Sequence, residues 1–199
     1  MLMSLGQHAL CGFDRPWQTA DDHPVEPDLL QGEHLARGAG LLAAVEGAAA
    51  GAGFSLALAC DLLVAADDAK FVMSYARVGL TPDGGDSWFL AQALPRQLAT
   101  EVLLEGKPIG ARRLSELGVV NRLAKPGTVR DSAIAWADEL GKISPNATAR
   151  IKTLIAAADA QPLADHLVTE RDNFVASLHH GDALEGITAF LEKRAPKYK

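Results

Sequence analysis

Apolar residues run unbroken over Leu41–Val45, and the run stops at Glu46-Gly47. A run this short, bounded by turn residues, predicts a buried strand rather than a helix. Leu62–Ala66 is a second apolar run, closed by Asp67-Asp68. Phe71–Ser74 and Val119–Leu123 predict further short strands, and Met1–Asp14 one more that ends in the turn Cys11-Gly12-Phe13-Asp14. Between the two apolar runs, small residues over 48–53 lead into Phe54–Cys60, which predicts a tight turn feeding a helix. Trp88–Leu94 and Gln97–Leu104 predict helices parted by Pro95, and Gly110–Leu117 a third. Arg15–Pro27 is polar and carries three prolines, so it reads as an exposed loop, and Asp28–Ala36 as a short helix. From Val129 onward the spacing is helical: Val129–Ile143, Ala147–Ala158, Leu163–Leu178 and Leu184–Leu191, with breaks at Pro145 and Pro162. The pattern divides the chain into a mixed α/β part, 1–128, and a helical part, 129–199.

Composition narrows the function. The chain has 199 residues, 48% hydrophobic and 22% charged, with a formal net charge of -6. That balance suits a globular fold and disfavours general binding to nucleic acid or to an anionic membrane, both of which need a basic face. It leaves room for one local basic pocket for a phosphorylated ligand. Two cysteines, Cys11 and Cys60, do not make a disulfide framework in a chain this long, so a reducing cytoplasm is the expected setting. Met1–Phe13 has no basic stretch of a secretory signal. The longest uncharged stretch, Gly47–Cys60, is too short to span a bilayer.

Several common chemistries lack their motifs. Ser55 follows Gly53 as in a nucleophile elbow, but Ala57 takes the second glycine position. Gly51-Ala52-Gly53 begins like a dinucleotide fingerprint, but Leu56 stands where the third glycine belongs. There is no P-loop, and the six histidines show no metal-ligand spacing.

What remains is the string Gly47–Asp61. Glycines let a backbone approach a ligand closely. The first amides of the helix that follows have no intrahelical acceptor and lie at the positive end of its dipole. Such a site suits negative charge developing on an oxygen. Close packing of a strand on a helix asks for the same small residues.

The longer string AAVEGAAAGAGFSLALACDLLVAADDAKF, Ala43–Phe71, resembles the central signature of the crotonase (enoyl-CoA hydratase/isomerase) superfamily. Leu10–Asp14 resembles the family's earlier oxyanion turn, GLTPDGGDSWFLAQALPR (79–96) its second active-site segment, and GITAFLEKRAPKYK (186–199) its C-terminal helix. The resemblance implies an α/β spiral of ββα units, here without its first strands because Phe13 falls so near the N-terminus. It implies a helical C-terminal region that forms a homotrimer, or a hexamer of two trimers. It implies an acyl-CoA thioester as substrate, with coenzyme A part of that substrate and no separate cofactor. The thioester oxygen would lie between the backbone amides of Phe13 and Ala52, with Gly51 and Gly53 shaping the turn.

Family hydratases use two glutamates, and the aligned residues here are Ser55 and Tyr75. Neither is a base at neutral pH, which points away from ordinary hydration. Asp83, in Pro82-Asp83-Gly84-Gly85, aligns with the acid of non-hydratase members, including isomerases and a dehalogenase. The closest resemblance is to the phenylacetate-pathway ring-epoxide isomerase and to enoyl-CoA isomerases. A double-bond shift needs one base, and Tyr75, Trp88 and Phe89 around Asp83 are expected to raise its pKa by desolvation. Taken alone, Asp83 would as readily close a turn or cap a helix. Asp86 reads as a solvated residue of the first helical turn. Trp88 suits the acyl pocket or the core, and Lys193, in the basic tail, suits either the CoA phosphates or solvent. A hydratase using Asp83 or Asp86 and a non-catalytic acyl-CoA binder are the alternatives.

Overall fold

The computed structural model describes residues 8–12, 18–19 and 40–198. Two strands, β3 (Leu41–Val45) and β5 (Leu62–Ala66), are buried over four of their five positions. Buried on both faces, they need no polar alternation, which is why the sequence shows them as continuous apolar runs. They pair in parallel, Leu42 with Leu62 through Val45 with Ala65. The five-stranded sheet runs β2-β1-β3-β5-β8, with β1 (His8–Gly12) antiparallel to β3 and to β2 (Gln18–Thr19). At the far edge β8 (Arg122–Ala124) lies parallel to β5. A second, three-stranded sheet runs β4 (Ala48–Ala50), β6 (Lys70–Val72), β7 (Ile109–Gly110).

Between the sheets the chain runs through α1 (Ala52–Ala59), a 3-10 turn (Tyr75–Val78), α2 (Asp86–Ala93), α3 (Arg96–Glu105) and α4 (Ala111–Glu116). The core gathers where α1 crosses the sheets. Phe54 and Phe71 are fully buried, with ring centroids 4.9 Å apart, among Leu42, Leu63, Met73 and Leu90.

Four helices follow: α5 (Val129–Leu140), α6 (Pro145–Ala158), α7 (Leu163–Leu178) and α8 (Gly181–Leu191). Helix α5 packs on β3, β5 and β8 through buried Val129, Ala133 and Ala137. Its N-terminus is held by Glu46, whose carboxylate accepts from the Gly127 amide at 2.6 Å and the Val129 amide at 3.4 Å, an acid at the positive end of a helix. Helices α6 and α7 bury no residue. Lys152 of α6 reaches back to Asp61 at 2.8 Å, and Asp61 also accepts from the Leu41 amide at 2.6 Å.

Several boundaries differ from the sequence reading. Ala48–Ala50 form a strand rather than a turn, because their neighbour β6 supplies a ladder, Ala49 opposite Phe71. Gln18–Thr19 are a strand inside the proposed Arg15–Pro27 loop. The strand read at Val119–Leu123 begins three residues later, since the Val119 and Val120 amides donate to Leu114 O and finish α4. Pro145 starts α6 instead of breaking a helix: it is the first residue after Ser144, whose hydroxyl accepts from the Ala147 amide at 3.0 Å. Phe13, the rest of the polar stretch and the helix read at Asp28–Ala36 lie outside the described residues.

The Phe54–Phe71 contact fixes α1 on β6. Phe71→Ala is expected to lower the unfolding free energy by about 3–5 kcal/mol, and Phe71→Leu by less. Urea denaturation followed by circular dichroism measures both, with the denaturant slope unchanged if only stability has moved.

Candidate active site

The first half of the site is built at Gly51. Its backbone sits at φ 52° and ψ -125°, a conformation that side chains resist and glycine accepts. The Gly51 amide donates to Val72 O at 2.9 Å, which ends the β4–β6 ladder. The Gly51 carbonyl accepts from the Phe54 and Ser55 amides at 2.8 and 3.2 Å, which starts α1. Ala52, the first helical residue, is therefore turned outward and exposed. Its amide and that of Gly53 have no carbonyl behind them in the helix. No acidic side chain stands in the first turn of α1 to neutralise its positive end.

The second half comes from the chain leaving β6. The 3-10 turn that starts at Tyr75 is closed by Gly79, and Thr81–Gly85 then carry the chain to α2. This loop lies over the first turn of α1: a side-chain carbon placed on Gly84 would stand 3.9 Å from Ser55 Oγ. One placed on Gly85, itself at φ 85°, would stand 2.9 Å from the ring of Phe89. The loop brings Asp83 to Tyr75, whose hydroxyl donates to Asp83 Oδ1 at 2.7 Å. Tyr75 is buried while Asp83 is exposed. Burial first, and then the bond to Asp83, push the Tyr75 hydroxyl well above the usual phenol range.

Asp86 overturns its sequence reading. Far from being solvated, it is 0% exposed, and neither carboxylate oxygen has a hydrogen-bond partner among the described residues. Burial pushes its pKa up to about 7, the negative charge of Asp83 adds to the rise, and the Tyr75 hydroxyl opposes it. Ser55, on the helix that α2 packs against, is equally buried, and its Oγ has no partner among the described residues. A signal for Asp86 was present: Asp86, Leu90 and Leu94 are four residues apart, and the two leucines are core.

Other expectations also change. The desolvated carboxyl of the loop is Asp86, and Asp83 stands in the open. Trp88 is not core: it is 62% exposed, edge-on to Phe89 at 5.1 Å. Lys193 is exposed and follows α8, which packs chiefly on α7, so it is not brought to Asp83 and Ala52. In the same tail Arg194 is held by Glu185 and Glu192 at 2.6 and 2.7 Å. Phe13, the other proposed amide donor, lies outside the described residues. Among the described residues no cluster of three His, Cys, Asp or Glu is placed to hold a metal. The Cys60 thiol is pushed up to about 12, chiefly by burial, so it offers no thiolate nucleophile.

The Asp86 shift links pH to stability. Its folded pKa, about 7, lies above the ordinary value of 3.8, so the proton it holds favours the fold. That contribution is complete below the ordinary value and is lost as pH rises through the folded one. Asp86→Asn, neutral throughout, is expected to melt a few degrees above the parent at about pH 8, with the gap shrinking at about pH 5. Thermal unfolding at the two pH values measures it.

Known proteins share the fold and much of the sequence. A family model described as enoyl-CoA hydratase/isomerase matches residues 34–199. The solved enoyl-CoA hydratase from Polaromonas sp. JS666 is 53% identical, with a TM-score of 0.81 over 86% of this chain and 67% of that one. An enoyl-CoA hydratase from Mycobacterium marinum is 37% identical, with a TM-score of 0.76 over 79% of this chain and 65% of that one. Among curated relatives, carnitinyl-CoA dehydratase of Escherichia coli (strain SMS-3-5 / SECEC) is 36% identical over 163 residues, 80% of this chain. The chain spans 62% of that relative's length. With the family model covering the α/β core and the helices alike, the chain belongs to the enoyl-CoA hydratase/isomerase family of the crotonase superfamily.

Proposed function

We propose that the protein isomerises an enoyl-CoA thioester, moving its double bond with one aspartate. The observation that carries this reading is the Asp83 carboxylate, exposed over the N-terminal turn of α1 and held by Tyr75 at 2.7 Å. The residues aligned with the hydratase glutamates, Ser55 and Tyr75, offer no carboxylate. In this mechanism the thioester oxygen accepts a hydrogen bond from the Ala52 amide, and from Phe13 as the family resemblance implies. Asp83 removes a proton from the carbon between the carbonyl and the double bond. The C–H electron pair moves into a dienolate whose negative oxygen the amides stabilise. Asp83 then returns the same proton at the far carbon, so no atom is gained or lost. Gly51, Gly53 and Gly84 leave room for the thioester, Trp88 offers an exposed aromatic wall, and Lys193 serves the CoA phosphates from a neighbouring copy. Coenzyme A is part of the substrate, and the reaction asks for no other cofactor. Resemblance to the ring-epoxide isomerase makes an arylacetyl-type thioester of the phenylacetate pathway one candidate among acyl chains.

A second reading is hydration, or its reverse, of the same class of thioester. The dehydratase names of the curated relatives favour it, as does a second carboxyl, Asp86, beside Asp83. Water addition needs an acid and a base together, and this loop holds two carboxyl groups.

The helical region suggests self-association. Ile151, Ile155, Leu167, Phe174, Leu178 and Phe190 are between 50% and 81% exposed on α6, α7 and α8, more apolar surface than a monomer usually shows. The proposed occupant is a second copy of the chain, in a trimer or a pair of trimers in the cytoplasm.

Ultraviolet absorbance of the conjugated thioester separates the chemical readings. Growth of the band from a 3-enoyl-CoA is expected; decay from a 2-enoyl-CoA would mean hydration. Asp83→Asn is expected to cut turnover about 100- to 10,000-fold with acyl-CoA still bound by calorimetry. Ala52→Pro, at a helix position that tolerates proline, removes one amide donor and is expected to cost about 100- to 1,000-fold in kcat. Phe174→Glu is expected to shift the sedimentation velocity of the protein to that of the monomer.

A further inference from the structure

Tyr75 treats the two oxygens of Asp83 differently. Its hydroxyl donates to Oδ1 at 2.7 Å, and among the described residues Oδ2 accepts no hydrogen bond. The last torsion of an aspartate side chain is broad and nearly two-fold. The two oxygens of a free carboxylate therefore change places by rotation, and a bond to one of them stops the exchange.

The two ends of this bond are supported unequally. The Tyr75 ring belongs to the hydrophobic core and is 6% exposed. Its carbonyl accepts from the Leu80 amide at 3.0 Å, and Gly79 closes the turn in the left-handed region at φ 75°. Packing and backbone together leave the ring one place for its hydroxyl. Asp83 stands on an exposed loop, ahead of Gly84 and Gly85 at φ 61° and 85°. Among the described residues its side chain has no hydrogen-bond partner but Tyr75. The rigid member of the pair is thus the phenol, and the carboxylate takes its orientation from it.

We propose that Tyr75 is a positioning residue: by holding Oδ1 it makes Oδ2 the oxygen of Asp83 that carries the proton. This role rests on Asp83 being the base of the reaction above. As the C–H bond breaks, an O–H bond forms at Oδ2 and the electron pair enters the dienolate. Asp83 is then a neutral acid whose Oδ1, now a carbonyl oxygen, still accepts from the phenol. The carboxyl group cannot turn its proton away toward solvent. Oδ2 delivers that proton to the far carbon as the second C–H bond forms. Tyr75 gives up no proton at any step, in keeping with a hydroxyl that burial holds far above the usual phenol range.

Tyr75→Phe keeps the ring and removes the donor alone. It is expected to lower kcat about 10- to 100-fold with KM unchanged. The decisive readout uses a 3-enoyl-CoA deuterated at the carbon between the carbonyl and the double bond, with the product followed by mass spectrometry. The parent should deliver most of the transferred deuterium to the far carbon, whereas Tyr75→Phe should lose most of it to water. A merely destabilised enzyme would turn over less substrate but keep the same share of label. Equal shares in the two proteins overturn the proposal, as does an unchanged kcat.

A Raman measurement needs no turnover. The chain has two tyrosines, Tyr75 and Tyr198, so in a Tyr198→Phe background the tyrosine ring doublet reports Tyr75 alone. The doublet should show a strong hydrogen-bond donor, and that character should be lost in Asp83→Ala. A doublet that Asp83→Ala leaves unchanged overturns the proposal. If the doublet changes as expected but no acyl-CoA is turned over, the isomerase reading fails while the hold of Tyr75 on Asp83 is supported.

Discussion

The hydrogen bond from the Gly51 amide to Val72 O is the constraint on which the site depends. It is the last rung between β4 and β6, and the residue that makes it is also the residue before α1. One glycine, at a φ open to few other residues, thus ends a strand and starts a helix within a single step. Because the chain turns there, Ala52 opens a helix at an exposed position rather than continuing a ladder. Because β6 is the partner strand, the chain leaving Val72 passes Tyr75 and then Asp83 over the same helix end. The helix end and the carboxylate therefore share one support, and an error in the β4–β6 register would move both.

Around that support the protein tolerates polar groups that a pure packing unit would have removed. Ser55 and Asp86 are both buried without a partner among the described residues, each at a cost that hydrophobic replacements would avoid. They lie on two helices that pack on each other, with the Tyr75–Asp83 bond at the margin. Strained or unsatisfied groups collected in one place, beside an exposed helix N-terminus, are what a reactive site needs and a core does not. The well-packed Phe54–Phe71 contact beside them supplies the rigidity that holds the loop and helix in register.

The C-terminal helices obey a different logic. Helix α5 is part of the core, fixed by Glu46 at its N-terminus and by buried alanines along its inner face. Helices α6 and α7 have amphipathic sequences, yet they bury no residue within the chain. They pack on each other, yet Ile155, Leu163 and Phe174 stay more than two-thirds exposed, so the pair leaves apolar surface that its mutual contact does not cover.

The sequence by itself determined the elements whose signal is local. Leu41–Val45 and Leu163–Leu178 match their strand and helix to the residue, because an apolar run or a helical stripe is a property of neighbours along the chain. Pro95 separated two helices for the same reason. Asp83 and Ala52 were singled out through their places in the family string. Three things were left to tertiary structure. Ala48–Ala50 became a strand only because β6 lies beside them, and alanine's own preference is for helix. Tyr75 was read as the non-basic residue aligned with a hydratase glutamate and as a neighbour of Asp83, but its hydrogen bond to Asp83 depends on how the glycine loop folds back. Asp86 was read as solvated because its position in a first helical turn is usually wet; two left-handed glycines before it rotate that turn inward, onto the face of Leu90. Burial and pairing across the fold depend on residues far apart in sequence, and no window of neighbouring residues contains them.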